Sequence, residues 1–246
     1  MPHENNQQGT RIDQIASGIY RISTPIPPAV IPGGFTFNQY LVVDDDAPLL
    51  YHTGPRKLFP QVRQAIASVM PVESLRYIGF SHYEADECGA LNDFLELAPQ
   101  AEPLCSRIAK MVSVDDVALR PARALGDGEE IRLGNHVLRW IDTPHLPHAW
   151  ECGHLFESTT GTLFCGDLFT QGGAEHEPLT TADILEPSEA MRGALDYFSH
   201  TREVNALMEK LAQTGPRVLA CMHGAAWQGD GAALLRRLAA RLDGKS

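Results

Sequence analysis

The chain has 246 residues, 43% of them hydrophobic and 21% charged, and a formal net charge of -11. That length suits one large layered domain with a sizeable core. The acidic balance and the lack of any Lys/Arg run argue against binding along a phosphate backbone. No apolar stretch nears the roughly 20 residues needed to span a bilayer. Function is therefore sought in a soluble domain with no nucleic-acid or membrane partner.

The opening residues Met1-Pro2-His3-Glu4-Asn5-Asn6-Gln7-Gln8-Gly9 lack the basic start and apolar core of an export signal. Residues 1–10 read as a flexible tail before a single domain over 11–246, and a cytoplasmic location is expected. The five cysteines, Cys88, Cys105, Cys152, Cys165 and Cys221, form no C-x-x-C pair, which fits a reducing compartment. Four of them lie close in sequence to candidate ligands named below. Thiolate ligation or redox tuning is one reading; small apolar fillers beneath a site is the preferred one.

In chain order, Arg11 to Ile22 reads as two strands joined near Ser17-Gly18, after which Thr24-Pro25-Ile26-Pro27-Pro28 is expected to break regular structure. Strands follow at Phe35–Val43 and Pro48–His52, around the acidic turn Asp44-Asp45-Asp46. Leu58, Val62, Ile66 and Val69 repeat at helical spacing and define a helix over 56–69 that Pro71 ends. The strand 75–80 leads into a loop, and Leu91, Phe94, Leu95 and Leu97 mark a helix over 87–97. A short strand near 103–105 and a helix near 106–113 come next, then a turn at Gly126-Asp127-Gly128.

Two hairpins are expected beyond that turn, one around Gly134-Asn135 and one around Thr160-Gly161. The closing section reads as helical on either side of one strand, Val218–Cys221, with helix faces at Val204, Leu207, Met208 and Leu211 and at Leu234, Leu235, Leu238 and Leu242. Strand-rich and helical sections alternate in each half, which predicts an α/β sandwich of two sheets with helices outside.

The run Ser81-His82-Tyr83-Glu84-Ala85-Asp86-Glu87-Cys88-Gly89 packs one imidazole and three carboxylates into six positions directly after an apolar strand. Adjacent carboxylates repel, so such a cluster at a buried strand end calls for a multivalent cation. Three further segments place ligands just after strands: Trp140 to His148, Leu163 to Asp167, and Val218 to Gly224. A lone histidine at such a place is more often structural. The joint pattern points to a metal site, and the number of donors to a pair of ions.

From about Phe35 to Trp227 the chain resembles the metallo-β-lactamase superfamily and, within it, the diiron domain of flavodiiron proteins and related oxygen-binding diiron proteins. Hydrolases of the superfamily read H-x-H-x-D-H at the first motif, whereas His82-x-Glu84-x-Asp86 carries the glutamate of the flavodiiron branch. The spacing from His148 to Asp167 and the closing His223-Gly224-x-x-Trp227 are similar to that branch. The resemblance implies an αββα sandwich of two mixed β-sheets flanked by helices. It implies one metal on His82, Glu84 and His148, a second on Asp86 and His223, and Asp167 bridging both. Swapping imidazole for carboxylate hardens the site, which favours iron or manganese over zinc.

Two departures stand out. Glu87 replaces the family's second histidine in the first motif, so it either faces the second metal or opens the following helix with a favourable dipole contact. In His145-Leu146-Pro147-His148 either histidine could ligate; spacing to Asp167 favours His148 and leaves His145 as an orienting group. His52, His154 and His176 are weaker candidates, each read first as an ordinary hydrogen-bonded or surface histidine. Tyr83, Trp150, Phe169 and Trp227 are offered as pocket walls.

Two functions follow. The first is a diiron centre that binds or reduces O2 or NO, as an enzyme or a sensor. By resemblance it takes electrons from an external flavoprotein or rubredoxin-like donor, because no FMN-binding flavodoxin domain is expected in these residues, and it forms a homodimer. The second is a dinuclear hydrolase of esters, thioesters or lactones, in which the metals lower the pKa of bound water toward about 7.

Overall fold

The structure is a computed structural model that describes residues 3–4, 9–44 and 47–243. Of the stretch expected to be a tail, His3–Glu4 form a short strand opposite Ile12 and Arg11, while residues 1, 2 and 5–8 lie outside the described residues, as do Asp45 and Asp46 of the acidic turn.

Two mixed sheets face each other. The first runs β1 (His3–Glu4), β2 (Arg11–Ala16), β3 (Ile19–Ile26), β4 (Phe35–Val42), β5 (Leu49–Tyr51), β6 (Tyr77–Gly79), β7 (Glu102–Ser106) and β8 (Arg123–Leu125) in sequential order. Its first half is an antiparallel meander, and β5 to β8 are parallel. The second holds β9 (Glu130–Leu133), β10 (His136–Asp142), β11 (Gly153–Glu157), β12 (Thr162–Phe164), β13 (Leu179–Thr180), β14 (Val218–Ala220) and β15 (Ala226–Gln228), in the order β13-β15-β14-β12-β11-β10-β9. There β12 and β14 run parallel.

Three apolar layers hold these sheets. Between them, Tyr40, Tyr51, Leu104, Leu138, Trp140, Leu155 and Phe164 interlock. Outside the first sheet, the helices Phe59–Ala67 and Leu91–Leu97 bury Val62, Ile66, Phe94 and Leu95 against Ile22, Leu41 and Ile78. Outside the second, helices Leu185–Leu195, Val204–Ala212 and Gly231–Leu242 cover Leu163, Leu219 and Phe156. Each fully buried large side chain contributes on the order of 1.5–3 kcal/mol of transfer free energy. The expected αββα sandwich is the observed architecture.

The local reading differs in a few places. The strand expected to stop before Pro25 continues to Ile26, with Pro25 opposite Thr36. β2 reaches only to Ser23, so beyond that point β3 is an edge, and a proline there forfeits no ladder bond on its open side. The helix expected over 87–97 is two pieces, Ala85–Cys88 and Leu91–Leu97, parted at Gly89-Ala90. The helix near 106–113 extends as a helical run through Val117, its start capped by the Ser106 hydroxyl, which accepts from the Ala109 N–H. The closing section contains a second strand, β15, and helix Leu185–Leu195 was not anticipated.

Candidate metal centre

Parallel β-strands are buried on both faces, so their carboxyl ends are where the chain first meets solvent and can present polar groups. β6 delivers Phe80 into the core and then His82, Glu84, Asp86 and Glu87; β10 is followed by His148; β12 by Asp167; β14 by His223. Both sheets thus point ligands at one place. The loops after β6 and β12 touch at Gly166, whose φ is +49° and where a Cβ would sit 3.0 Å from Ser81 Oγ. A side chain there would be strained and would force the two ligand loops apart.

His82 Nε2 lies 3.0 Å from His148 Nε2, 3.8 Å from Glu84 Oε1 and 3.5 Å from Asp167 Oδ2. His148 Nε2 is 3.3 Å from Glu84 Oε1 and 3.2 Å from Asp167 Oδ2. On the other side, His223 Nε2 is 3.1 Å from Asp167 Oδ1 and 3.6 Å from Asp86 Oδ2. Asp167 therefore turns one oxygen toward each histidine group. The donor atoms of His82, Glu84 and His148, of His82, Glu87 and Asp167, and of Glu84, Asp86 and Glu87 each lie within 4.8 Å of one another.

Glu87 is fully buried, and neither of its oxygens has a hydrogen-bond partner among the described residues. Its backbone carbonyl accepts from Thr53 N–H at 2.7 Å, and its carboxylate lies 3.8 Å from His82 Nε2. Burial, then the Asp167 and Asp86 carboxylates, push its pKa well up. An uncompensated buried carboxylate is costly. With Glu84, Asp86 and Asp167 it makes four negative charges, which two divalent ions would balance. The residues present therefore fit a dinuclear metal site.

The remaining charges support one another. Hydrogen bonding to His148, 3.3 Å away, holds the Glu84 carboxyl down at about 2. Burial pushes Asp167 up, but His223, His82 and His148 overcome this and hold it below the carboxylate range. Burial disfavours a charged His223, yet Asp167 and Asp86 raise its pKa on balance, and Glu84 and Asp167 do the same for His148.

His223 and the segment carrying Asp167 are held from behind. His223 Nδ1 donates to Thr36 O at 2.7 Å, and its ring stacks on Phe35 with centroids 4.4 Å apart. Its loop is gripped from the opposite sheet. Asn38 Nδ2 donates to the Cys221 and Gly224 carbonyls, Tyr40 OH to Cys221 O, and the fully buried Arg21 to Gly224 O at 2.7 Å. Tyr197 OH donates to Asp167 O at 3.1 Å. Phe35, Thr36, Asn38, Arg21 and Tyr197 were missed because nothing in their own stretches carries ligand chemistry; only the fold brings them here.

His145 stands apart from the cluster. It is exposed and lines a separate surface cavity with Arg192, Phe198 and His200. His154 is buried with Nδ1 2.7 Å from Thr143 Oγ1 and Nε2 3.1 Å from Cys165 O, and burial brings its pKa down to about 4. His176 lies 3.2 Å from Gly173 O. His52 hydrogen bonds to Ser81. All five cysteines are buried and none joins a ligand group among the described residues; burial pushes the Cys88 and Cys105 thiols up to about 12, which suits packing rather than ligation. Of the aromatics offered as walls, Phe169 is buried, while Tyr83 and Trp150 are exposed and Tyr83 lines a cavity of about 540 Å³ that reaches Glu84.

The sequence profile of the ODP family beta lactamase matches residues 35–224, well over half of the chain. A diflavin flavoprotein A of Synechocystis is 27% identical over 195 residues, which are 78% of this chain and 33% of that protein. The nitric oxide reductase of Moorella thermoacetica is 24% identical over 228 residues, 86% of this chain and 54% of that protein. Among solved structures, a metal-soaked flavodiiron core from Synechocystis aligns with a TM-score of 0.81 at 21% identity, over 95% of this chain and 60% of that one. The rubredoxin oxygen:oxidoreductase of Desulfovibrio gigas aligns at 0.78 and 20%, over 94% and 61%. The chain spans about a third or less of the diflavin flavoproteins it matches, and the structural likeness is one of fold. The match over residues 35–224, on a sandwich with ligand-bearing loops at the ends of β6, β10, β12 and β14, places this chain in the ODP family of beta lactamases.

Proposed function

We propose that this chain is a non-heme diiron protein that binds or reduces O2 or NO. The observation that carries the reading is Asp167, whose Oδ2 lies 3.2 Å from His148 Nε2 while its Oδ1 lies 3.1 Å from His223 Nε2. One carboxylate so divided is the arrangement that joins two ions. His82, Glu84 and His148 would hold one, Asp86 and His223 the other, and Glu87 supplies the fourth negative charge on the second side. When bound, two ferrous ions would supply two electrons to a diatomic ligand, any further ones coming from the external donor.

The chain's own residues fit that use. A carboxylate-rich donor set favours iron or manganese and stabilises the higher oxidation state. Glu84 is the most exposed ligand, at 49%, and faces the cavity beside Tyr83, which gives a small ligand a route from solvent. His82 and Glu87 are closed off on the inner side, at 0%. Relatives named for a reaction are a nitric oxide reductase and a rubredoxin oxygen:oxidoreductase; the hydrolytic alternative is not favoured. The same reading takes residues 11–246 as one domain, in the cytoplasm, dimeric, and fed by a flavoprotein or rubredoxin-like donor. No helix among the described residues is long and apolar enough to cross a membrane.

The test is anaerobic loading with ferrous iron, followed by O2 or NO. Gas uptake with a new ferric or nitrosyl absorption band is expected. No reaction with either gas, or turnover of an ester, thioester or lactone by zinc-loaded protein, would overturn the proposal.

A further inference from the structure

His52 follows β5 with φ of +64°, a left-handed conformation uncommon for a residue bearing a Cβ. It is 1% exposed, its ring lies 4.4 Å from that of Tyr51, and its N–H donates to Gly79 O at the end of β6. The unusual backbone sets its ring against Ser81. Strain of this kind persists where the surroundings over-determine it and is concentrated at functional sites.

The hydrogen bonds around it admit one direction. The Ser81 backbone N–H points at His52 Nε2 from 3.3 Å. A backbone amide can only donate, so His52 Nε2 is the unprotonated nitrogen and its proton sits on Nδ1. Ser81 Oγ lies 3.1 Å from the same Nε2 and, facing an acceptor, donates to it. Its hydrogen thus used, Ser81 Oγ can only accept from His82 Nδ1, 2.9 Å away. His82 must then carry its proton on Nδ1 and turn a bare Nε2 toward Glu84, His148 and Asp167.

We propose that His52, acting through Ser81, is a positioning residue that fixes the tautomer of His82 and so prepares it as a metal ligand. The inference rests on the diiron reading for its consequence, though not for its hydrogen-bond chain. It gives His52 the orienting role that the sequence offered to His145. Partners one step behind a ligand set ring orientation and ligand basicity.

The probe is zinc, titrated against a competing chelator in two backgrounds. In His223→Ala, which keeps the His82 side, Ser81→Ala and His52→Leu are each expected to weaken zinc about tenfold to a hundredfold. In His148→Ala neither change moves the remaining side. His52→Asn, which tolerates the left-handed backbone and offers an acceptor, restores binding. If His52→Leu does not fold, Ser81→Ala tests the same link.

Independently of any metal, nitrogen-resolved NMR of the metal-free wild type should show a His82 Nδ1–H protected from exchange, and Ser81→Ala should lose that protection. Unchanged zinc affinity in Ser81→Ala, equal weakening in both backgrounds, or a His82 proton on Nε2 alone would overturn the proposal. A wild type that takes up no zinc and no iron would instead sink the diiron reading, and the exchange measurement would still decide this one.

Discussion

The two halves of the centre differ in charge and in how they meet water. One side offers two imidazoles and one carboxylate, His82, His148 and Glu84, with Glu84 half exposed. In the assignment proposed above the other has one imidazole and two carboxylates, His223, Asp86 and Glu87; Glu87 is fully buried, has no hydrogen-bond partner among the described residues, and also lies 3.8 Å from His82 Nε2. In the metal-free chain the Nε2 atoms and carboxylate oxygens of the first side lie within 3.0 to 3.8 Å of one another. The second crowds the buried Glu87 carboxyl against Asp86 and Asp167, which disfavours its ionised form until a cation compensates it. Its folding energy therefore depends more on a bound cation, and the bridge at Asp167 couples the two.

The largest effect that would break this picture belongs to Asp167. Asp167→Ala removes the oxygens serving both sides, and we expect metal affinity on both to fall by more than about a hundredfold, beyond what outer partners usually cost. Equilibrium dialysis that found one side intact would show that the carboxylate does not bridge.

Next comes His154, beneath the loop that carries Asp167. Its folded pKa of about 4 lies below the ordinary 6.5. Its contribution is fully present above pH 6.5 and is lost as pH falls toward 4, because the unfolded chain takes up the proton first. The loss amounts to about 3 kcal/mol across that window. Denaturant titrations of wild type and His154→Gln between pH 4 and 7 should show a shallower slope in the variant; equal slopes would assign the acid sensitivity elsewhere.

Glu87→Gln sharpens the comparison by separating charge from shape. Without metal at neutral pH the variant should be more stable than wild type, by about 1–3 kcal/mol, since wild type must hold this buried carboxyl against ionisation that the unfolded chain undergoes freely. With metal the order should reverse on the His223 side alone. A variant less stable in both states would mean that Glu87 is satisfied within the protein. The smallest expected effect is that of His145→Ala, which should leave metal content and stability unchanged, because that side chain is exposed and away from the cluster. Lost metal there would reverse the assignment of His148.

The candidate donors could be picked out in the chain because most of them come shortly after a strand, as His82 follows Tyr77–Gly79 and His223 follows Val218–Ala220. The layered fold was equally legible from the alternation of strands and amphipathic helices. Tertiary contact decided the rest. β15 is three residues long and exists through pairing with β14 and β13. Pro25 lies in a strand because its neighbour ends at Ser23. His145 and His148 are alike in sequence, and only the turn between them sends one to the solvent. Glu87 was open to two readings; its helix is four residues long, and the burial of its carboxylate against His82 is visible only in three dimensions. His52 looked ordinary until Ser81 and His82 were placed beside it.

The central claim is that two ions share Asp167. Mössbauer spectroscopy of iron-loaded protein, with metal content measured on the same sample, tests it most directly. The account predicts about two irons per chain as a spin-coupled pair. In Asp167→Ala that coupling should vanish. One iron per chain, or two uncoupled irons in the wild type, would contradict it.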